Sequence, residues 1–139
     1  MFTTLISARE LQQLMATDAP LRVYDCSFEL MKPDAGADQY RQEHLPGSVY
    51  VHLDQHLSDK QGADRASGGR HPLPSRETFA GRMASLGMSD GVQVVVLDRQ
   101  GANYCGRLWW MLKWCGHEAV AVLDGGLAAW KAAGGALDS

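Results

Sequence analysis

"VVVLDRQGANYCGRLWWMLKWCG", residues 94–116, carries the reading of the fold. It opens on four apolar residues, three of them β-branched, which suits a strand. The run is apolar throughout instead of alternating, as expected of a strand covered on both faces in a parallel sheet. A glycine-bearing loop follows. After it Cys105, Leu108, Met111, Leu112 and Cys115 recur at helical spacing, one stripe to pack on the sheet. In open parallel sheets ligands sit beyond the carboxyl ends of the strands. The residue closing this strand is Asp98, which either does chemistry or fills the place of a group that would.

The same pattern repeats outward from this unit. Residues 21–26 (LRVYDC), 48–51 (SVYV), 92–98 and 119–124 (AVAVLD) read as strands bounded by turn residues. Ser7 with Glu10 makes a capping box, and Ile6 with Leu11 a hydrophobic staple, so a helix is predicted from Ser7 to about Ala16. Ser75 begins another, with Phe79, Met83 and Leu86 on one face and Gly87 as its stop. Helices alternating with apolar strands predict an α/β domain: a parallel sheet of about five strands in three layers, helices on both faces. Residues 59–74 form a polar, Gly-rich connection longer than most, and such loops are commonly functional. The tail from about residue 132 to 139, rich in Ala and Gly, reads as the start of a linker.

At 139 residues the chain is one domain's worth, residues 1–139 sharing a single core. Its net charge of -3, with 45% apolar and 21% charged residues, offers no basic excess for nucleic acid or an anionic membrane. The amino terminus lacks the charged and apolar regions of a signal peptide, so a cytoplasmic setting is expected. Cys26, Cys105 and Cys115 form no CxxC pair, and neither a disulfide framework nor a metal site is indicated.

Asp25, Asp98 and Asp124 each close a strand, and His44 and His71 lie in connections that can reach the same end of the sheet. Asp98 as the nucleophile of a phosphoryl-transfer site is one reading. Such a site needs a metal held by neighbouring acids, and DRQGAN supplies no second carboxylate. The structural alternative has Asp25 and Asp124 capping the backbone that follows them, Asp124 before GGLAAW in particular. Cys105, near a helix start, could have an activated thiol, but its stripe makes it a core residue. Cys26 reads as incidental. Trp110 and Trp114 lie on the opposite side of that helix, with Arg107, and fit either ordinary packing or a contact with a second domain.

Taken in order, VYDCSF, HLPGS, HPLPSRETFAGRMASLGM, VVVLD and RLWWMLKWCGHEAVAVLDGGLAAW resemble the successive blocks of the amino-terminal half of two-domain rhodanese-type sulfurtransferases, the thiosulfate and 3-mercaptopyruvate enzymes. The resemblance implies two rhodanese-like folds in tandem, of which only the second bears the catalytic cysteine. That cysteine takes sulfane sulfur as a persulfide, stabilised by loop N–H groups and the helix amino terminus. In this chain Asp98 stands at the matching position. The partner implied is a second rhodanese-like domain of the same polypeptide, and the ligand a small sulfur-donor anion passed on to cyanide or a thiol. No metal or organic cofactor is implied.

The resemblance further implies that Asp54 and His71 approach the catalytic loop of the second half, where they assist proton movement, and that Tyr104 helps wall the cleft. The catalytic residue itself is then absent from this chain, which is expected to be inactive alone. The alternative is a stand-alone rhodanese-like module that binds a protein partner. A third reading, a single-domain enzyme using Cys105, requires that thiol to be accessible.

Overall fold

The computed structural model describes residues 1–60 and 65–139; residues 61–64 of the long connection lie outside the described residues. Five parallel strands form one sheet: β1 (Leu5–Ile6), β2 (Leu21–Asp25), β3 (Val49–Tyr50), β4 (Gln93–Leu97) and β5 (Val120–Leu123). Their order across the sheet is β1-β5-β4-β2-β3, which places β4, the strand ending at Asp98, in the middle. Asp25 is opposite Leu97 in the β2–β4 register. The ends of β2 and β4 are therefore level, and the loops leaving them emerge side by side.

Side chains of β4 alternate between two cores, as the pleat of a strand requires. Val94 and Val96 join Tyr24 and Val120 beneath α3 (Arg76–Ser85) and α4 (Cys105–Trp114), which contribute Phe79, Met83, Leu108, Met111 and Leu112. Val95 and Leu97 join Val23, Ala121 and Leu123 beneath α1 (Ala8–Met15) and α5 (Gly126–Ala132), which contribute Leu11, Leu127 and Trp130. Each such buried side chain contributes about 1.5–3 kcal/mol, so both helical layers are held by the same central strand. The three-layer α/β architecture expected from the sequence is what the chain adopts.

The capping box of α1 is closed in both directions: Ser7 Oγ accepts from Glu10 N at 3.0 Å, and Ser7 N donates to Glu10 Oε1 at 2.9 Å. Two elements lie beyond the sequence reading. β1 is two residues long, paired with β5 at the sheet edge, too short for a periodic signal. α2 (Ala35–Gln42) follows Asp34, whose side chain makes no cap bond; the overlapping stretch DQYRQEHLPGS, residues 38–48, reads from the sequence as a turn.

Two local expectations are corrected. Asp124 is exposed, and the cap of α5 is Gly125, with no side-chain cap bond. Cys115 is not on the buried stripe: α4 ends at Trp114, and Cys115 is its exposed C-cap. The tail also turns back on the domain. Trp130 Nε1 donates to Ala136 O at 2.7 Å, and Asp138 and His44 exchange backbone hydrogen bonds of 2.8 and 2.9 Å.

α2 reaches the sheet through Gly36, where an added Cβ would collide with the Ser27 carbonyl and the Tyr50 hydroxyl. In the middle of α3, a Cβ at Gly81 would meet nothing within 4 Å. The same chemical change therefore has opposite signs. Gly36→Ala should destabilise by about 2 kcal/mol through overpacking, and Gly81→Ala should stabilise by about 0.5–1 kcal/mol through reduced chain entropy. Urea unfolding of the two variants checks both.

Candidate functional site

Asp98 is 2% exposed and sits at the centre of the loop joining β4 to α4. Its Oδ1 accepts the N–H groups of Gln100 and Ala102 at 3.0 and 2.9 Å. Its Oδ2 accepts those of Tyr104 and Cys105, both at 2.9 Å. Four backbone donors thus converge on one carboxylate, each bond strengthened by the charge. The backbone bends sharply to do this. Gly101 and Ala102 both adopt left-handed conformations, φ 70° and 69°, and for alanine that costs about 1 kcal/mol. On the other side, the Asp98 carbonyl lies so close to Gly126, φ 58°, that a side chain there would collide with it. The start of α5 is therefore packed directly on the loop.

Arg99, the next residue, faces away from this ring. Its Nη2 donates to Asp25 Oδ2 at 3.1 Å and to the Glu43 carbonyl at 2.6 Å, and its Nε to Ser27 Oγ at 3.0 Å. Asp25 is fully buried and also accepts from Ser27 N and Oγ, so it caps its own turn as the sequence suggested. The cation beside Asp98 is committed to this buried pair. A cavity of about 670 Å³ lies between the Asp98 loop and α5.

The other sequence candidates meet at a second place. His71 Nε2 is 3.5 Å from Asp54 Oδ1, and Lys60 Nζ is 3.0 Å from the same oxygen. His71 and Tyr104 share a groove of about 390 Å³ with Leu53, Arg70 and Arg107. Burial holds His71 below the ordinary histidine value; Asp54 opposes this, while Lys60, Arg107 and Arg70 add to it. The ring is consequently neutral at pH 7 and able to accept a proton. Arg107 ties the two segments together, donating to the carbonyls of Leu57 and His71, each at 2.8 Å through Nη2. Lys60, Arg70 and the bridging role of Arg107 were not read from the sequence; the Arg107 bridge rests on contacts across 36 and 50 residues.

Residues 7–133 match the rhodanese-like domain. The chain belongs to the rhodanese-like domain family. SseB of Mycobacterium tuberculosis, assigned by name to the thiosulfate sulfurtransferases, is 40% identical over 97% of this chain and 46% of its own length. The human 3-mercaptopyruvate sulfurtransferase is 37% identical over 80% of this chain and 36% of its own length. Among solved structures, the 3-mercaptopyruvate sulfurtransferase from Leishmania major superposes with a TM-score of 0.83 and 31% identity, covering 99% of this chain and 36% of that one. The chain thus spans about half the length, or less, of these relatives.

In this rhodanese-like domain all three thiols are held above their ordinary pKa, and two of them, Cys26 and Cys105, are buried. Burial first, then neighbouring negative charge including that of Asp98, pushes both well above the ordinary thiol range. The helix start does not activate Cys105, because the Asp98 carboxylate lies against it. Exposed Cys115 is also raised, burial outweighing the nearby Arg76. Trp110 is 46% exposed and stacks on Trp114 with ring centroids 5.5 Å apart, Arg76 lying 5.0 Å over Trp114. Among the described residues no group of three or more His, Cys, Asp or Glu is placed to hold a metal, so His44, His71 and the three aspartates do not form one cluster. No described helix is long and apolar enough to cross a membrane.

Two outcomes are expected. Asp98→Asn turns an amide NH₂ toward two N–H donors and should destabilise by about 3 kcal/mol, measured by urea unfolding. A thiol reagent under native conditions should modify Cys115 at once and leave Cys26 and Cys105 unmodified until the domain unfolds, as read by peptide mapping.

Proposed function

We propose that this chain is the amino-terminal, non-catalytic half of a two-domain sulfurtransferase that takes sulfane sulfur from thiosulfate or 3-mercaptopyruvate and passes it to cyanide or a thiol. The observation that carries the reading is the Asp98 carboxylate at the centre of its loop. In a sulfurtransferase a thiolate in such a loop becomes a persulfide, and inward-pointing N–H groups stabilise the anion. A carboxylate cannot store sulfur in that way. It also uses the four donors itself, and its charge repels an anionic sulfur donor. The loop keeps the shape of an anion site while its own side chain serves as the anion.

The nucleophile then belongs to a second rhodanese-like domain of the same polypeptide. The order of the motifs and the fraction of each relative that the chain spans support this. This half supplies one wall of the shared cleft. His71, neutral at pH 7 and oriented by Asp54, is suited to receive a proton during sulfur transfer. Tyr104 flanks it, and the guanidinium groups of Arg70 and Arg107 favour an anionic substrate. The Trp110–Trp114 stack provides an apolar face for domain contact.

Intact-mass spectrometry of the chain after incubation with thiosulfate, and separately with 3-mercaptopyruvate, tests the non-catalytic assignment. No added sulfur atom is expected. Stoichiometric persulfide on Cys105 would overturn it. Reading the gene beyond codon 139 tests the tandem arrangement: a further strand, cysteine loop and helix are expected, and a stop codon there would favour a stand-alone binding module.

A further inference from the structure

The segment after β3 contains a device that the functional reading leaves unused. His52 and His56 bracket a single helical turn that carries Leu53, Asp54 and Gln55, with His56 N donating to His52 O at 2.9 Å. His52 Nδ1 accepts the N–H groups of Asp54 and Gln55 at 3.0 and 3.3 Å. In return, the N–H of His52 donates to His56 Nδ1 at 2.8 Å. This is the reciprocal pattern of a capping box, built from two imidazoles in place of a hydroxyl and a carboxylate. The Ser7–Glu10 box of α1 is the ordinary version in the same chain.

We propose that His52 and His56 are positioning residues that hold Asp54 against His71 through the lone pairs of their Nδ1 atoms. Every donor in the box is a backbone N–H, so both Nδ1 atoms must be acceptors and both rings must carry their proton on Nε2. His52 is 6% exposed, and its Nε2 has no hydrogen-bond partner among the described residues. Its ring instead lies edge-to-face with Phe28, centroids 5.4 Å apart. A buried imidazole whose only polar contacts among the described residues are the two N–H groups at and after Asp54 is committed to the geometry of that turn. Burial, with His52 and Arg82 nearby, holds His56 below the ordinary histidine value and keeps its Nδ1 lone pair free at neutral pH.

The far end of the turn is fixed independently. Arg82 Nη1 donates to the carbonyls of His56 and Ser58 at 3.1 and 2.7 Å, and Arg107 to that of Leu57. With its carboxyl end held by two arginines, the amino end of the turn is set by the imidazole box. Opening the box releases the backbone of Asp54 without releasing His71. The bearing on catalysis rests on the proposed cleft role of Asp54 and His71; the positioning itself does not.

Two-dimensional NMR of the histidine ring nitrogens tests this on the chain itself. In the native protein both His52 and His56 should show the Nε2–H tautomer at neutral pH, and a proton on Nδ1 of either would overturn the box. The titration midpoint of His71 then reports on Asp54, whose charge raises it. Asp54→Asn should lower the midpoint. His52→Gln, whose polar atoms cannot occupy the Nδ1 position, should lower it in the same direction, and His52→Asn, whose Oδ1 can, should restore it. A His71 midpoint unchanged in His52→Gln but lowered in Asp54→Asn would overturn the positioning role. An unchanged midpoint in Asp54→Asn would instead show that the Asp54–His71 pair is not formed in solution, leaving nothing to position. If His52→Gln does not fold, the tautomer measurement on the native chain decides.

Discussion

Four backbone N–H groups donating to one buried carboxylate is the interaction on which the rest of this domain is organised. Asp98 ends the central strand, so whatever satisfies it is fixed relative to both cores. The carboxylate draws the chain into a tight ring, holds Ala102 in a left-handed conformation, and delivers Cys105 to the first position of α4. From there the helix lays Leu108, Met111 and Leu112 on one face of the sheet. Across the ring, the close approach of the Asp98 carbonyl and Gly126 sets α5 on the other face. One residue thus governs the exit of the strand through its side chain and, through its carbonyl, the seating of α5 in the other layer.

The loop has the geometry to bind an anion, and that geometry is satisfied internally. The Asp98 loop is closed on its own carboxylate, while Asp54 and His71 meet at a different place in the fold. The arginines follow the same division. Arg99 is bound to Asp25 within the fold, whereas Arg70 and Arg107 remain at the groove.

What could be read from the sequence depended on how local the determining interaction is. The Ser7–Glu10 box, the apolar run of β4 and the stripe of α4 each signal within a few residues, and each appears at its expected place, the stripe without Cys115. The place of Asp98 at the strand end was legible from the residues, but its standing at a catalytic position came only from the family resemblance; its four donors lie two to seven residues away in the same loop. β1 and α2 were not, one being two residues long and the other lacking both an apolar stripe and a side-chain cap. Asp124 looked like a cap because Asp before a helix usually is one; here Gly125 takes the cap position in a left-handed conformation, leaving Asp124 exposed. The charges that shape His71 come from Lys60, Arg70 and Arg107, and that grouping exists only once the long connection folds over α4. The imidazole box escaped notice because a histidine pair four residues apart ordinarily signals a helix face or a metal.

Native-state hydrogen exchange at the amides of Gln100, Ala102, Tyr104 and Cys105 tests the central claim most directly. If Asp98 holds all four, they exchange as slowly as the amides of β4, through opening of the whole domain, although they lie in a loop. Exchange of these amides at the rate of the exposed tail would mean that the carboxylate does not organise the ring. The account of Asp98 as the anion of its own site would then be wrong.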